Sequence, residues 1–447
     1  MNILVLNGSP KGDYSITLQT VHYLERIDKE NTFTILHVGQ RIKALEKDFT
    51  PAIEAIANAD VLLFSYPVYT FLAPCQLHRF IELMKEHNVD VSGKYATQLT
   101  TSKHFYDVTA HRYIQDNCQD MGMKFVRGLS ADMEDLLTAK GREDAKSFWQ
   151  HFLWCKENGQ IEACYNDSYT PTFKPVTPIE TTVEPTEGDV VIVADYTDKD
   201  TQLIDMIARF RAKLPIKSRI VNIAEYPFRG GCLGCFNCAS DGTCIYKDDF
   251  DSFLRDNIQK AQAIIYAFTI SDHSMGSRFK MYDDRQFCNG HRTVTMGTPV
   301  GYLVSGNLSK EENLRTIIEA RAQVGGNTLT GVATDEFDPD FAIDQLASSL
   351  TYALEHKYCQ PSNFYGVGGM KIFRDLIYQM QGMMKADHRF FKKHDQYDFP
   401  QKKKGTILKM YLVGALISNP KIKSKMGNMM NEGMIAPYKK LFDEMDK

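Results

Sequence analysis

Four cysteines, Cys232, Cys235, Cys238 and Cys244, stand on one short segment, separated by two, two and five residues. Thiolates at such spacing can reach a single metal core. Three Cys at two-residue intervals followed by a fourth suit a cubane iron–sulfur cluster, whereas zinc sites usually bring two separated pairs together. Gly234 and Gly242 allow the backbone to curl round an inorganic core. Zinc coordination and a loop of free thiols are the competing readings.

A second constellation lies near the N-terminus, where Asn7-Gly8-Ser9-Pro10-Lys11-Gly12 leads through Ser15 and Thr17 into a helical pattern. A glycine- and hydroxyl-rich strand-to-helix turn can wrap N–H and O–H donors round a phosphate, with the helix N-terminus adding favourable potential and Lys11 a full charge. The plain alternative is a turn with Ser15 as N-cap. No GxGxxG pattern is present, which favours a terminal phosphate over a dinucleotide.

Two further segments, Pro67-Val68-Tyr69-Thr70-Phe71 and Thr100-Thr101-Ser102, follow apolar runs that read as strands. In an open parallel sheet the loops at the carboxyl ends of the strands converge at the switch point, so these segments and the phosphate loop should meet. Aromatics with a proline-stiffened backbone suit the face and edge of a planar ring, and the hydroxyls offer donors. Together the three loops fit one flavin.

The elements that would position them alternate. Runs 3–7, 33–38, 61–65, 95–101 and 124–126 read as strands, with amphipathic stretches 16–27, 74–86 and 108–120 between them, which implies right-handed βαβ units and a parallel sheet. Thr, Pro and Glu then dominate as far as Gly188, a linker composition. After it the order starts again, with strands at 189–194, 219–223, 263–268, 298–304 and 327–331. Ala59–Phe64 corresponds to Ala261–Tyr266, and Gly93–Ala96 to Gly297–Val300. The chain reads as an internal duplication: residues 1–164, a linker at 165–188, a second copy at 189–360 and a helical extension at 361–447. The second copy carries an insertion at about 229–247 that holds the cysteines. It also has Asp195 and Asp198 where a phosphate would sit, and like charges at close range repel by several kcal/mol, so one ligand per chain is expected.

Gly8-Ser9-Pro10-Lys11 with Ser15 and Thr17, followed by Tyr66-Pro67-Val68-Tyr69, resembles the NAD(P)H-dependent FMN reductases of the flavodoxin-like superfamily. Cys232 to Asp249, ending in Asp248-Asp249, is similar to the iron–sulfur flavoproteins of anaerobes. The resemblance implies two doubly wound, flavodoxin-like, five-stranded parallel α/β sheets in tandem plus the helical C-terminal region. It implies FMN with its phosphate on Ser9, Lys11, Ser15 and Thr17 and its ring lined by Pro67, Val68, Tyr69, Thr70, Phe71, Thr100, Thr101 and Ser102. It also implies a 4Fe-4S cluster on Cys232, Cys235, Cys238 and Cys244. Ile16 departs from the family, where Asn is frequent. The implied activity is an oxidoreductase with NAD(P)H as co-substrate and a quinone, a nitro or azo compound, a metal ion or a redox protein as acceptor. A ferredoxin-fed electron carrier without turnover and a sensing module with a structural metal are the rivals.

Composition bounds the rest. At 447 residues, 43% hydrophobic and 24% charged, the chain must form more than one core. A net charge of −4 lacks the basic footprint of a nucleic-acid binder. No run reaches the roughly 18 apolar residues of a membrane span, and Met1–Leu6 reads as a buried strand rather than a leader. Ten cysteines without a secretion signal indicate a reducing compartment, and the resemblance to the iron–sulfur flavoproteins implies the cytoplasm of an anaerobic prokaryote. A symmetric assembly is expected, since a partner surface would cover the flavin edge, supplied either by the tandem copy within the chain or by a homodimer. The extension reads as helices packed on the second copy or on another subunit; the competing reading, from Lys402-Lys403-Lys404 before an apolar stretch, is an anionic membrane or acidic partner. His273, His291 and Arg292 are expected near the opening of the degenerate second pocket. Cys75, Cys118, Cys155, Cys164, Cys288 and Cys359 are expected to be packing residues.

Overall fold

The computed structural model describes residues 1–163, 172–180 and 184–419, with 443 and 445. Cys164 and parts of the expected linker lie outside the described residues. The chain divides into two compact units, Met1–Phe390 and Phe391–Lys447.

The first copy runs β1 (Asn2–Asn7), α1 (Ile16–Ile27), β2 (Thr32–Leu36), α2 (Val38–Leu45), α3 (Thr50–Ala57), β3 (Val61–Pro67), α4 (Cys75–Glu86), β4 (Tyr95–Ser102), α5 (Asp107–Asp120), β5 (Lys124–Phe125), β6 (Leu129–Asp132) and α6 (Ala139–Glu157). Its strands are parallel in the order β2-β1-β3-β4-β5. The fifth lane is shared: β5 pairs with the start of β4 and β6 with its end. The second copy runs β7 (Thr186–Asp195), α7 (Thr201–Lys213), β8 (Ile216–Asn222), α8 (Phe250–Asn257), β9 (Ala263–Thr269), α9 (Gly276–Arg285), β10 (Pro299–Ser305), α10 (Glu312–Gly325), β11 (Thr328–Thr334) and α11 (Pro339–His356). Its order, β8-β7-β9-β10-β11, is the same doubly wound path. Helices α12 (Phe364–Gln379), α13 (Lys385–Lys393) and α14 (Lys404–Ile417) follow. Strand β7 begins inside the stretch that composition assigned to the linker.

The repeat holds at the level of single pairs. Leu62 pairs with Ala96 in the first sheet, and their counterparts Ile264 and Val300 pair in the second. Gly93 N–H donates to Gly122 O at 2.9 Å and Gly297 N–H to Gly326 O at 2.8 Å, all four glycines having positive φ.

Period-two alternation divides each strand between two cores. Ile3 and Val5 pack outward against α1 and Trp149 of α6, and Val190 and Ile192 outward against α7 and α11. Leu4 and Leu6, with Val191 and Val193, belong to one continuous core that joins the copies. Helix α4 lies on α9 at that seam. The two helices cap each other: Asp284 of α9 accepts from Cys75 N–H at 2.8 Å, and Glu82 of α4 accepts from Ser277 N–H at 2.6 Å and its hydroxyl at 2.7 Å. Carboxylates at helix N-termini satisfy orphan donors and complement the dipole. The copies thus form a pseudo-symmetric pair within one chain.

His273 bridges the seam, with Nε2 2.8 Å from Asp120 and Nδ1 3.0 Å from Glu311. Lys85 approaches the same Asp120 at 3.7 Å. Burial opposes the imidazolium, but hydrogen bonds to Asp120 and Glu311 outweigh it and hold His273 up to about 10. An unfolded histidine titrates near about 6.5, so this stabilisation is complete below that pH and is lost as pH rises toward 10. The melting temperature of His273→Gln should therefore lie furthest below wild type at about pH 6, with the gap closing as pH approaches 10. A gap constant across that range would contradict the assignment.

Candidate functional site

One cavity of about 420 Å³ opens at the carboxyl edge of the first sheet, within the range of pockets for organic cofactors. Its floor is the turn after β1. Asn7 braces that turn by donating to Gly12 O at 3.0 Å, and Ser9 Oγ accepts from Lys11 N–H at 3.3 Å. Gly39 of α2 sits so close beneath that a Cβ would lie 2.2 Å from Gly8 O. Ser9, Ser15 and Thr17 are buried and, with Lys11, line the cavity. Ser15 Oγ also accepts from Leu18 N–H at 3.4 Å, so it caps α1 as well. Thr17 and Thr101 hydroxyls meet at 2.6 Å.

Pro67 to Phe71 form the next wall. Thr70 and Phe71 take positive φ, and Tyr69 and Leu72 bridge across the turn. Such strain at non-glycine residues is held by the surroundings: Thr70 Oγ1 and Cys75 N–H donate to the buried Asp284, and Lys280 Nζ donates to Tyr69 O at 2.8 Å. The second copy therefore fixes the first copy's loop. Thr101 and Ser102 face the cavity, while Thr100 does not: its hydroxyl lies 2.8 Å from His111 Nε2 on the other side of the strand. Ile16 is also in the wall.

The opposite wall is the cysteine segment. Cys232, Cys235, Cys238 and Cys244 all line the same cavity as the phosphate-type turn. At Gly234, whose φ is +60°, the segment packs closely on the loop after β3 and touches the phosphate-type turn: a Cβ would fall 1.9 Å from Tyr69 OH and 3.3 Å from Lys11 Cε. Lys11 Nζ lies over the Phe236 ring at 5.4 Å. Phe236 and Gly242 also have positive φ, and Gly242 N–H closes on Cys238 O at 2.8 Å. The segment's exit is tied down by Asp248, which forms a two-bond pair with Arg285 of α9 at 2.8 and 2.7 Å. Arg285 also donates to Gly230 O at 2.9 Å at the entry.

All nine described cysteines are free thiols. Burial pushes the Cys232 thiol up, and the Cys238 thiol up to about 11, with neighbouring thiols adding to both. At Cys232 and Cys238 a neighbouring cation would favour the thiolate. Among the described residues no three His, Cys, Asp or Glu side chains are already drawn together as a metal site. The donor chemistry of four thiols on a glycine-turned loop suits an iron–sulfur core. Two of the cysteines expected to be packing residues are buried beside this segment: Cys75 Sγ lies 2.2 Å from where a Cβ on Gly231 would fall, and Cys288 lines the same cavity.

The second copy's own phosphate position is closed. Asp195 pairs with Arg278 at 2.5 Å, and Asp200 accepts from both the N–H and the hydroxyl of Thr197, at 2.8 and 2.9 Å. His291 and Arg292, expected at a second pocket, instead line the first cavity and hold Asp387 at 3.1 and 2.8 Å. His273 is the seam bridge described above. The remaining wall, including Gln286, Arg321, Ile372 and Phe373, comes from the second copy and α12; contacts across such sequence separations leave no local signal.

Residues 1–151 match the family model of the flavodoxin-like fold. The chain is 27% identical over 172 residues to an iron–sulfur flavoprotein of Archaeoglobus fulgidus, covering 36% of this chain and 77% of that protein. Among solved structures it is similar to an NADH:FMN oxidoreductase in its apo form (19% identity, TM-score 0.30, 34% of this chain and 87% of that one) and to the flavoenzyme NAD(P)H:acceptor oxidoreductase FerB of Paracoccus denitrificans (16%, 0.30, 35% and 97%). A further match is general stress protein 14 of Treponema denticola in complex with FMN (11%, 0.28, 34% and 98%). On the family match and the strand order alone, residues 1–151 are a flavodoxin-like domain, and the second sheet repeats its strand order. No described helix is long and apolar enough to cross a membrane.

Proposed function

We propose that the protein is an FMN-dependent oxidoreductase that takes electrons from NAD(P)H and passes them to a quinone, a nitro or azo compound, or a redox protein, with a 4Fe-4S cluster beside the flavin. The observation that carries this reading is that the cysteine segment of the second copy and the phosphate-type turn of the first line one cavity, with Gly234 packed against Tyr69 and Lys11 of the first copy. The relative from Archaeoglobus fulgidus, an iron–sulfur flavoprotein, supports the pairing of cofactors. Ser9, Lys11, Ser15 and Thr17 would hold the FMN phosphate, Pro67 to Phe71 with Thr101 and Ser102 the ring, and Cys232, Cys235, Cys238 and Cys244 the cluster. FMN, when bound, accepts an electron pair from a nicotinamide and can release it as a pair or singly.

The chain's own work is to place and shield. Asp284 and Lys280 hold the ring loop in its strained turn, Lys11 supplies charge at the phosphate end, and the cysteine segment covers the cavity against water. Because the second copy supplies the covering wall, a homodimer is not needed to complete the site. A reducing cytoplasm of an anaerobe suits four reduced thiols. An electron carrier fed by ferredoxin is separated from this reading by steady-state oxidation of NADH and NADPH.

Replacing Ser15 and Thr17 together by Ala removes two hydroxyls beside the phosphate, each worth about 1–1.5 kcal/mol as a hydrogen bond. Heat-released flavin should fall, and FMN affinity should weaken by roughly 30-fold or more. Full flavin content in the double variant would overturn the phosphate assignment.

A further inference from the structure

The described segment from Phe399 to Asn419 contains four lysines, at 402, 403, 404 and 409, and no Asp or Glu, in a protein of net charge −4. At its centre lies α14, whose sequence Thr406-Ile-Leu-Lys-Met-Tyr-Leu-Val-Gly-Ala-Leu-Ile417 is apolar apart from Thr406 and Lys409. The helix is in water: Leu408, Tyr411, Leu412 and Leu416 are 59–74% exposed, and Cβ atoms added at Gly405 and Gly414 would meet nothing within 4 Å. At about 100° per residue, the exposed Ile407, Leu408, Met410, Tyr411, Leu412 and Leu416 spread over about 240° of the circumference rather than one narrow stripe, the remaining sector holding Lys409 and the half-buried Val413. A surface helix of a globular protein shows the opposite pattern, a single apolar stripe against a core. A largely apolar helix of this kind left in solvent marks a binding element.

We infer that α14 with its flanking lysines docks the protein on an anionic phospholipid leaflet, independently of the redox reading above. The occupant must be apolar round most of the helix and negatively charged beside the lysines at its N-terminal end. A leaflet of acidic lipids meets both requirements, with acyl chains round α14 and headgroups at the lysines. A second copy of this chain meets only the first, since it would bring four more lysines against the same four. Fourteen residues make a helix of about 21 Å, shorter than the roughly 30 Å hydrocarbon core, so α14 enters one leaflet and does not span.

The test is flotation of the full-length protein with vesicles of phosphatidylcholine alone and with vesicles that also contain phosphatidylglycerol, at low and high salt. Binding should require phosphatidylglycerol and fall as salt rises. Lys402→Glu with Lys403→Glu and Lys404→Glu should weaken it by at least roughly 100-fold, and Leu408→Asp with Leu412→Asp should abolish it. All five positions are solvent-exposed, so circular dichroism and cofactor content should stay unchanged. The inference is overturned by an absence of binding to phosphatidylglycerol vesicles at low salt, by equal binding to neutral vesicles, or by binding that survives the Leu pair. It is likewise overturned by sedimentation showing a wild-type dimer that the Leu pair dissociates, which would make α14 a self-association surface.

Discussion

Replacing Arg285 by Ala should destabilise the protein by about 3–5 kcal/mol, the range for breaking a buried ion pair, and should release the cysteine segment. Arg285 and Asp248 are both almost fully buried, and their two hydrogen bonds fix the end of the segment while Gly230 O fixes its beginning. The guanidinium also lies over the rings of Tyr246, Phe250 and Phe228, at 4.6, 5.1 and 5.8 Å. Truncation leaves Asp248 buried with only the backbone N–H groups of Arg229 and Phe250. Arg285→Lys should restore little, because an ammonium cannot reproduce the two-bond, ring-stacked geometry. Chemical denaturation measures the stability loss, and iron bound after anaerobic reconstitution measures the loss of the segment. An unchanged midpoint would mean that the pair does not anchor the insertion.

Gly39→Ala should act on the other wall. Its Cβ would meet backbone, Gly8 O at 2.2 Å and Ser9 C at 2.7 Å, so α2 and the phosphate-type turn must separate. Overpacking of this kind costs about 1–3 kcal/mol. Because the strain falls on the loop that would carry the phosphate, FMN affinity should drop by up to roughly 100-fold. Titration of the apoprotein with FMN reads this directly, and wild-type affinity would show that the turn does not hold the ligand.

The sequence made some of this legible and not the rest. Element order and the correspondence of Leu62 with Ile264 were readable because β-rich runs and glycine turns repeat locally, and the paired registers follow from them. Convergence of the loops after β1, β3 and β4 followed from parallel topology alone. Thr100 shows the limit of reading a loop as a block: neighbouring strand residues face opposite sides, so Thr101 enters the cavity and Thr100 meets His111. The places of His291, Arg292, Cys75 and Cys288 depended on how the copies pair, which is set by reciprocal capping between Glu82 and Asp284 and leaves no local pattern. The Asp248-Asp249 pair was visible as a motif, but its first member's role appears only with Arg285 beside it.

The central claim is that one flavin and one iron–sulfur cluster share the cavity between the two copies, and the most direct measurement is metal and flavin content of anaerobically purified protein, for wild type and Cys238→Ser. The account predicts about one FMN and four iron atoms per wild-type chain, with Cys238→Ser losing the iron and keeping the FMN, because the flavin loops belong to the other copy. Zinc without iron in the wild type, or iron retained in full by Cys238→Ser, would contradict it.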